Sequence, residues 1–131
     1  MSSMKKFFIF TVLLFCSGLI FAESKVYNLY DFYTELPVIY TRCNDNEEIS
    51  ITAEIALAYN KNDTAALNEI KNRKIEIIDF LRSYFSKKTY AEIYGHKDLI
   101  QIEIRDYINK NILTQSRIRD IIFIKLELLH L

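Results

Sequence analysis

The sequence has very few of the residues that interrupt regular structure, with two glycines and one proline among 131 residues. Half of its residues are hydrophobic, which is enough to build a core. This composition argues against a disordered chain, and the length suits one domain of roughly 100–200 residues. Two glycines also exclude a glycine-rich loop of the kind that cradles phosphate groups.

The chain has no net charge, because 17 basic side chains balance 17 acidic ones. Setting aside Lys5 and Lys6, which belong to the N-terminal signal described below, leaves the remainder slightly acidic. Nucleic-acid-binding domains carry an excess of basic residues that contact phosphates. The composition therefore predicts that nucleic acid is not a partner.

Cysteine is also scarce, with Cys16 inside an apolar run and Cys43 in a polar segment. If the domain is exported, Cys43 has no partner within it, so no disulfide framework is expected. We interpret Cys43 as an incidental free thiol rather than a redox or cross-linking group.

Residue patterns typical of catalysis are missing from the sequence. No His, Cys, Asp and Glu spacing resembles a metal site, and no serine elbow or cysteine nucleophile motif is present. His96 follows Gly95 at a predicted helix start, and His130 is the penultimate residue. We interpret both histidines as surface or capping residues. The sequence therefore predicts a protein without enzymatic activity, cofactor or metal.

The N-terminal residues 1–22 have the pattern of an export signal. Lys5 and Lys6 precede the uncharged apolar run 7–22, and this polarity places everything after the run outside the cytoplasm. The run is short for a transmembrane helix of about 20 residues and slightly long for a signal-peptide core of about 7–15 residues. Ala22 before Glu23 suits a signal peptidase. A cleaved signal peptide and a retained inner-membrane anchor both remain open.

Residues 23–34 mix charged and aromatic side chains, and we predict that they form a linker leaving the membrane, with a partly packed leading segment as the alternative. Residues 35–131 are predicted to form one periplasmic domain. A short edge strand is expected over residues 36–42, because Pro37 cannot donate to a ladder. Residues 49–59 alternate between apolar and more polar side chains and predict a strand buried on one face.

A long helix is predicted from about Thr64 to Lys87, after a turn at residues 60–63 that supplies an N-cap. Glu69 and Arg73 are spaced to form a supporting ion pair. The apolar side chains on one stripe of this helix are expected to face the core; they are Ala66, Leu67, Ile70, Ile77, Ile78, Leu81, Tyr84 and Phe85.

Two apolar residues of this helix, Ile75 and Phe80, lie outside that stripe among mostly polar neighbours. We hypothesise that they contact a neighbouring subunit. The alternative is that they pack beneath the other helices or the segment 23–34. They are the only candidate site residues that the sequence offers.

The remaining elements are predicted from capping and periodicity. Thr89 and Glu92 have the spacing of a capping box, which predicts a short helix over residues 90–94 that ends at Gly95. A further helix is expected over residues 97–113, with one side formed by Ile100, Ile104, Tyr107, Ile108, Asn111 and Ile112. The last predicted strand spans residues 117–131; the side chains expected on its well-buried face are Ile122, Ile124, Leu126 and Leu128. The opposite face is expected to be covered at one end only, and its side chains are Ile121, Phe123, Lys125, Glu127 and Leu129.

This order of elements predicts an α+β fold, in which a long helix and one or two further helices cover one face of a small, mostly antiparallel sheet. Several pieces of the chain follow one another in a recognisable order and spacing; they are the alternating strand 49–59, Arg73 with Asp79, the run 80–85, the turn 86–93 with Thr89 and Glu92, then Leu99, Ile104, Ile108 and Asn109, and the run 117–123. In these pieces, over about residues 36–131, the chain resembles the FliL family of flagellar basal-body proteins.

The resemblance implies a periplasmic domain similar to the SPFH domain of stomatins. It also implies association with the flagellar stator and basal body, assembly into a homo-oligomer or ring, and a role in supporting stator function, torque and motility. The chain is then a FliL protein or a paralogue of one. The alternative is an exported periplasmic module, unrelated to the motor, that binds a small ligand or another protein.

Overall fold

A computed structural model of the protein describes residues 29–131, and the fold belongs to the unit Asp31–Leu131. In chain order the elements are β1 (Tyr30–Tyr33), β2 (Ile39–Arg42), β3 (Ile49–Asn60), α1 (Thr64–Asn72), α2 (Lys74–Ser86), α3 (Tyr90–Ile93), α4 (Lys97–Tyr107), a π-helical turn (Ile108–Ile112) and β4 (Asp120–His130). Within residues 29–131, no helix has the length and apolar character needed to cross a bilayer. The predicted signal or anchor, residues 1–22, lies outside this described part.

The four described strands form one sheet with β3 at its centre. β3 pairs antiparallel with both β2 and β4 and also pairs with β1. Its alternation gives one face, from Ile51 through Ile55 to Leu57, that is almost fully buried beneath the helices. The predicted α+β architecture with a small antiparallel sheet is therefore confirmed.

The strand β1 lies within the segment predicted to be a linker, residues 23–34. Tyr33 is buried in the core, and the Asp31 carboxylate accepts a hydrogen bond from the Asn62 amide at 3.1 Å. The end of that segment is therefore part of the folded domain, as in the alternative of a partly packed leading segment. The rest of the segment, up to residue 28, is outside the described residues.

The predicted long helix is divided at Arg73, whose backbone (φ −103°, ψ 14°) departs from helical geometry. Hydrogen bonds continue across the division, since the Arg73 amide donates to Glu69 and its carbonyl accepts from Ile77. The prediction of one uninterrupted helix is wrong. Because Arg73 is neither proline nor glycine, the sequence carries no local signal for this bend.

The stripe predicted to face the core does so across both helices. Ala66, Ile70, Ile77, Leu81 and Phe85 are fully buried, and the other three members of the stripe are partly buried against the core. These side chains fill the space between the helices and the sheet.

The capping box predicted at Thr89 is present. The Thr89 hydroxyl accepts from the Glu92 amide at 3.2 Å, and the Glu92 carboxylate accepts from the Thr89 amide at 3.1 Å. The short helix α3 ends before Gly95, which adopts a positive φ of 76°. A side chain is strained in that conformation, so glycine suits the turn.

The helix predicted over residues 97–113 ends in the π-helical turn, closed by a hydrogen bond from the Leu113 amide to the Ile108 carbonyl. Four of the six side chains predicted on its core side are buried: Ile100, Ile104, Ile108 and Ile112. The prediction is wrong for Tyr107 and Asn111, which are exposed. The wider π turn places Asn111 farther round from Ile108 than an α-helix would.

The prediction of the buried face of the last strand is wrong over the first half of β4. The pairing of β3 with β4 shifts by one residue after Glu54. Glu54 pairs with Lys125, but the next residue, Ile55, pairs with Phe123 and not with Ile124. Ile124 is therefore an extra, bulged residue, and a bulge changes which side chains face the core. Ile121 and Phe123 are buried on the same face as the half-buried Leu126 and Leu128, whereas Ile122 and Ile124 are exposed.

Candidate functional site

The two residues predicted to contact a partner lie on different sides of α2. Ile75 is 75% exposed, whereas Phe80 is partly buried against the core. Five residues along an α-helix correspond to about 140° of rotation. The structure therefore does not bring Ile75 and Phe80 into one patch.

Phe80 forms an aromatic stack with Tyr107 of α4. Their ring centroids are 3.9 Å apart and the rings are nearly parallel, at 6°. Tyr84 lies 5.8 Å from Phe80 in a tilted arrangement. The other helix thus supplies a partner for Phe80, as in the alternative that it packs beneath neighbouring helices, and Tyr107 remains 44% exposed beside it.

This stack forms one wall of an open cleft of about 310 Å³. Its other side chains include Ser83, Tyr84, Lys87 and Lys88. The cleft combines an aromatic surface with two cations and contains no carboxylate. Its lining is therefore suited to aromatic and charged contacts.

Next to the cleft, a polar cluster connects α2, α3 and α4. The Tyr84 hydroxyl donates to the Glu103 carboxylate, and the Lys88 ammonium lies 3.3 Å from Glu103 and 3.7 Å from Glu92. The same ammonium lies 4.7 Å from the centroid of the Tyr84 ring, in a cation–π contact. One lysine thus bridges two carboxylates and an aromatic face.

The pKa values of this cluster favour fixed protonation states. Burial, followed by the hydrogen bond to Glu103, raises the pKa of Tyr84. The hydrogen bond from Tyr84 and the contact with Lys88 together lower the pKa of Glu103. Tyr84 stays neutral and Glu103 charged at neutral pH, so the cluster is a clamp between helices. Sequence reasoning missed it, although Lys88 and Glu92 have the i,i+4 spacing of an ion pair.

A second clamp involves Glu69, which does not pair with Arg73 as predicted. Its carboxylate accepts hydrogen bonds from the amides of Thr114, Gln115 and Ser116 at 2.8–3.3 Å and from the Thr114 hydroxyl at 3.0 Å. Arg73 instead pairs with Glu76 at 2.7 Å. Three consecutive loop amides donate more hydrogen bonds to the Glu69 carboxylate than one flexible arginine side chain would. The predicted pair of Glu69 with Arg73 is therefore wrong.

The groups considered for chemistry are dispersed. His96 is exposed and its Nδ1 lies 2.9 Å from the Tyr94 carbonyl, while His130 is exposed near the end of β4. Cys43 is buried, and burial and the nearby Asp45 carboxylate raise the pKa of its thiol, which disfavours the reactive thiolate. Within residues 29–131, no three His, Cys, Asp or Glu side chains are grouped to hold a metal.

The chain is similar to two curated proteins, both named Flagellar protein FliL. It is 37% identical over 110 residues to the protein from Treponema pallidum, an alignment covering 83% of this chain and 59% of that protein. It is 32% identical over 79 residues to the protein from Borreliella burgdorferi, covering 60% of this chain and 43% of that protein. The chain thus spans less than two thirds of either relative. No family model matches it.

Proposed function

Because the chain belongs to the FliL family of flagellar proteins, we propose that it is a non-enzymatic component of the flagellar basal body that supports stator function, torque and motility. The observation that carries this proposal is the 37% identity over 83% of the chain. An alignment of that extent includes most of the folded domain, and not only an apolar leader.

The positions of the residues that carry the resemblance to the family also support this assignment. Thr89 caps α3, Asn109 fastens the segment before β4, and Phe123 is buried in the core. Each of these three residues has a structural role inside the domain. Finding them at the spacing that the family uses is therefore what two proteins with the same fold would show.

We place the domain in the periplasm, attached to the inner membrane if the segment 1–22 is retained and free if it is cleaved. The basis is the order of Lys5, Lys6 and the apolar run, which directs the rest of the chain out of the cytoplasm. Residues 1–22 lie outside the described part of the structure, so this placement depends on sequence alone.

A scaffold of this kind acts through its surfaces. Ile75 is 75% exposed on one side of α2, and Tyr107, which stacks on the partly buried Phe80 at another side of that helix, is 44% exposed. We propose that they contact stator or basal-body proteins, or further copies of this chain in a homo-oligomer or ring. The exposure of Ile75 and Tyr107 supports that role.

The alternative is an exported module that binds a small ligand between helices and sheet. That space is occupied by fully buried side chains, which include Phe85, Ile55 and Leu81. The clefts in the described residues lie at the surface, around the helices and at the edge of the sheet. The filled interior favours the scaffold over a carrier of small apolar ligands.

The proposal is tested by deleting the gene in its own bacterium and measuring swimming speed and motor torque in media of increasing viscosity. We expect a motility defect that grows with load, because a stator-supporting protein matters most when torque is high. Complementation with the unaltered gene restores motility. Normal swimming and torque at every viscosity contradict the flagellar role.

A further inference from the structure

The strand β4 has one edge that no described strand covers. Within residues 29–131 it pairs only with β3, on its other side. In an antiparallel ladder, the amide and carbonyl of every second residue point away from the paired strand. A long apolar edge of this kind is a template for an added strand.

The start of this edge is closed by side chains. The Ile121 amide donates to the Asp120 carboxylate at 2.8 Å, and the Ile121 carbonyl accepts from the Gln101 amide group at 2.8 Å. Both backbone groups of Ile121 therefore face the free edge and are already paired there. This fixes which residues of β4 point outward.

The rest of the edge is open in the part of the chain that the structure describes. By the same alternation, and after the bulge at Ile124, the backbone groups of Phe123, Leu126 and Leu128 face the free side. The loop and side-chain hydrogen bonds within residues 29–131 do not include any of these three residues. The free edge of β4 therefore has paired backbone groups at Ile121 and open ones at Phe123, Leu126 and Leu128.

A groove of about 420 Å³ runs along this open edge, between β4 and α3. The residues of β4 that line it include Phe123, Leu126 and Leu128, the three whose backbone groups face outward. The opposite wall holds Ile93 and the Tyr90–Tyr94 pair, whose rings stack with centroids 5.3 Å apart. An added strand would find backbone partners on one side and apolar side chains beneath it.

The charge of the groove indicates the occupant. Its lining includes Lys97 and Lys125 and no carboxylate. Lys97 is exposed and makes no ion pair within residues 29–131, whereas Lys125 lies 3.6 Å from Glu127 in an exposed pair. Such an exposed pair holds Lys125 only weakly. An acidic side chain on an incoming segment would compete with Glu127 for Lys125, and no carboxylate lines the groove itself.

We propose that the open edge of β4 is a strand-addition site for an extended segment of a partner protein in which apolar and acidic residues alternate. The segment pairs with β4 from Phe123 to Leu128 and places its apolar side chains on the face of Ile93 and Tyr94. Alternate side chains of a strand point to opposite faces, so its carboxylates lie on the other face, which Lys125 shares because it pairs with Glu54 and not with the core residue Ile55.

The test uses the full chain in mild detergent and a labelled peptide, about nine residues long, of alternating valine and glutamate, with a valine and lysine peptide of equal length as the control. A peptide of that length spans the open part of a strand. We expect fluorescence anisotropy to show binding of the acidic peptide at least tenfold tighter than that of the basic one, and weaker at high salt. Equal affinity for the two peptides overturns the proposal.

Matched variants locate the site. Lys125→Glu should weaken binding of the acidic peptide at least fivefold, whereas Lys110→Glu, at an exposed lysine outside the groove, should leave it unchanged. Tyr94→Ser should weaken binding, while Tyr40→Ser, at a tyrosine that is 75% exposed on β2, should not. Equal effects within either pair overturn the assignment to this groove.

Amide hydrogen exchange reads the backbone pairing directly. The peptide should slow exchange at Phe123, Leu126 and Leu128, with no such change at Ile121, which is already capped. Slowed exchange elsewhere with none along β4 contradicts strand addition. Slowing that depends on protein concentration without peptide assigns the edge to a second copy and also overturns the proposal. These measurements are independent of motility, so this inference and the flagellar role fail separately.

Discussion

The side-chain amide of Asn109 forms two hydrogen bonds with the backbone of Ile118. Its Nδ2 donates to the Ile118 carbonyl at 2.9 Å, and its Oδ1 accepts from the Ile118 amide at 2.8 Å. Asn109 thereby imitates a strand partner for a residue that precedes β4. The π-helical turn and the final strand are fastened to each other by this one side chain.

Replacing this residue by Asn109→Ala should destabilise the domain by about 1–3 kcal/mol, because two partly buried backbone groups lose their partners. Urea unfolding followed by circular dichroism measures the change. Asn109→Asp keeps the acceptor and loses the donor, so it should also be destabilised. A stability equal to that of the unaltered chain in both variants would show that water replaces the amide without loss.

The Glu69 clamp predicts a specific response to acid. Burial favours the neutral form of Glu69, but the hydrogen bonds from Thr114, Gln115 and Ser116 outweigh it, so the folded pKa is lowered. A lowered folded pKa contributes stability that is present above the ordinary pKa of glutamate, about 4.3, and is lost as the pH falls through the folded pKa.

The variant Glu69→Gln removes the titration but keeps an acceptor. Its stability should therefore fall less steeply than that of the unaltered chain as the pH drops from about 5 towards about 3, and Glu69→Ala should cost on the order of 1–3 kcal/mol at neutral pH. Since Glu92 and Glu103 also have lowered pKa values, the difference between the two curves isolates Glu69. Parallel curves would contradict the clamp.

The partner contact proposed at Ile75 is separable from folding. Ile75→Glu should leave the unfolding free energy within about 0.5 kcal/mol of the original, because surface substitutions rarely change it more, while weakening self-association in analytical ultracentrifugation. Lys61→Glu, at an exposed turn, is the control. Unchanged association of the Ile75 variant removes this residue from the interface.

Phe80→Glu is a less clean change than Ile75→Glu. The sequence alone predicts that it abolishes assembly and leaves the fold intact. The structure adds a stability loss, because the aromatic stack with Tyr107 is worth about 0.5–1.5 kcal/mol beyond area burial. Chemical unfolding and sedimentation of the variant measure the two effects. Collapse of the fold would assign Phe80 to the core alone. Tyr107→Ala removes the same stack and supplies the comparison.

Asp79 and Arg82 lie on the outer side of α2, as their positions off the core stripe predict. Both are exposed, and the ion pairs of residues 29–131 include neither of them. Replacing both by alanine should change the free energy of unfolding by less than about 1 kcal/mol, since exposed charges contribute little. Thermal unfolding of the double variant measures this. A loss of several kcal/mol would mean that these charges have a structural role.

The sequence by itself determined the class of fold and most of its core. Apolar side chains at a helical period predicted the buried stripe from Ala66 to Phe85, and alternation predicted β3. The spacing of Thr89 and Glu92 predicted the capping box that they form. These features arise from interactions between residues close in the chain, which spacing alone describes.

Only the tertiary structure decided the features that depend on distant partners. Glu69 turned from its neighbour Arg73 to a loop 45–47 residues away, and Phe80 found Tyr107 on another helix. The bulge at Ile124 reversed the buried face of the first half of β4, because register is set by the paired strand and not by the strand's own pattern. The open edge of β4 likewise exists only once β3 has occupied the other side.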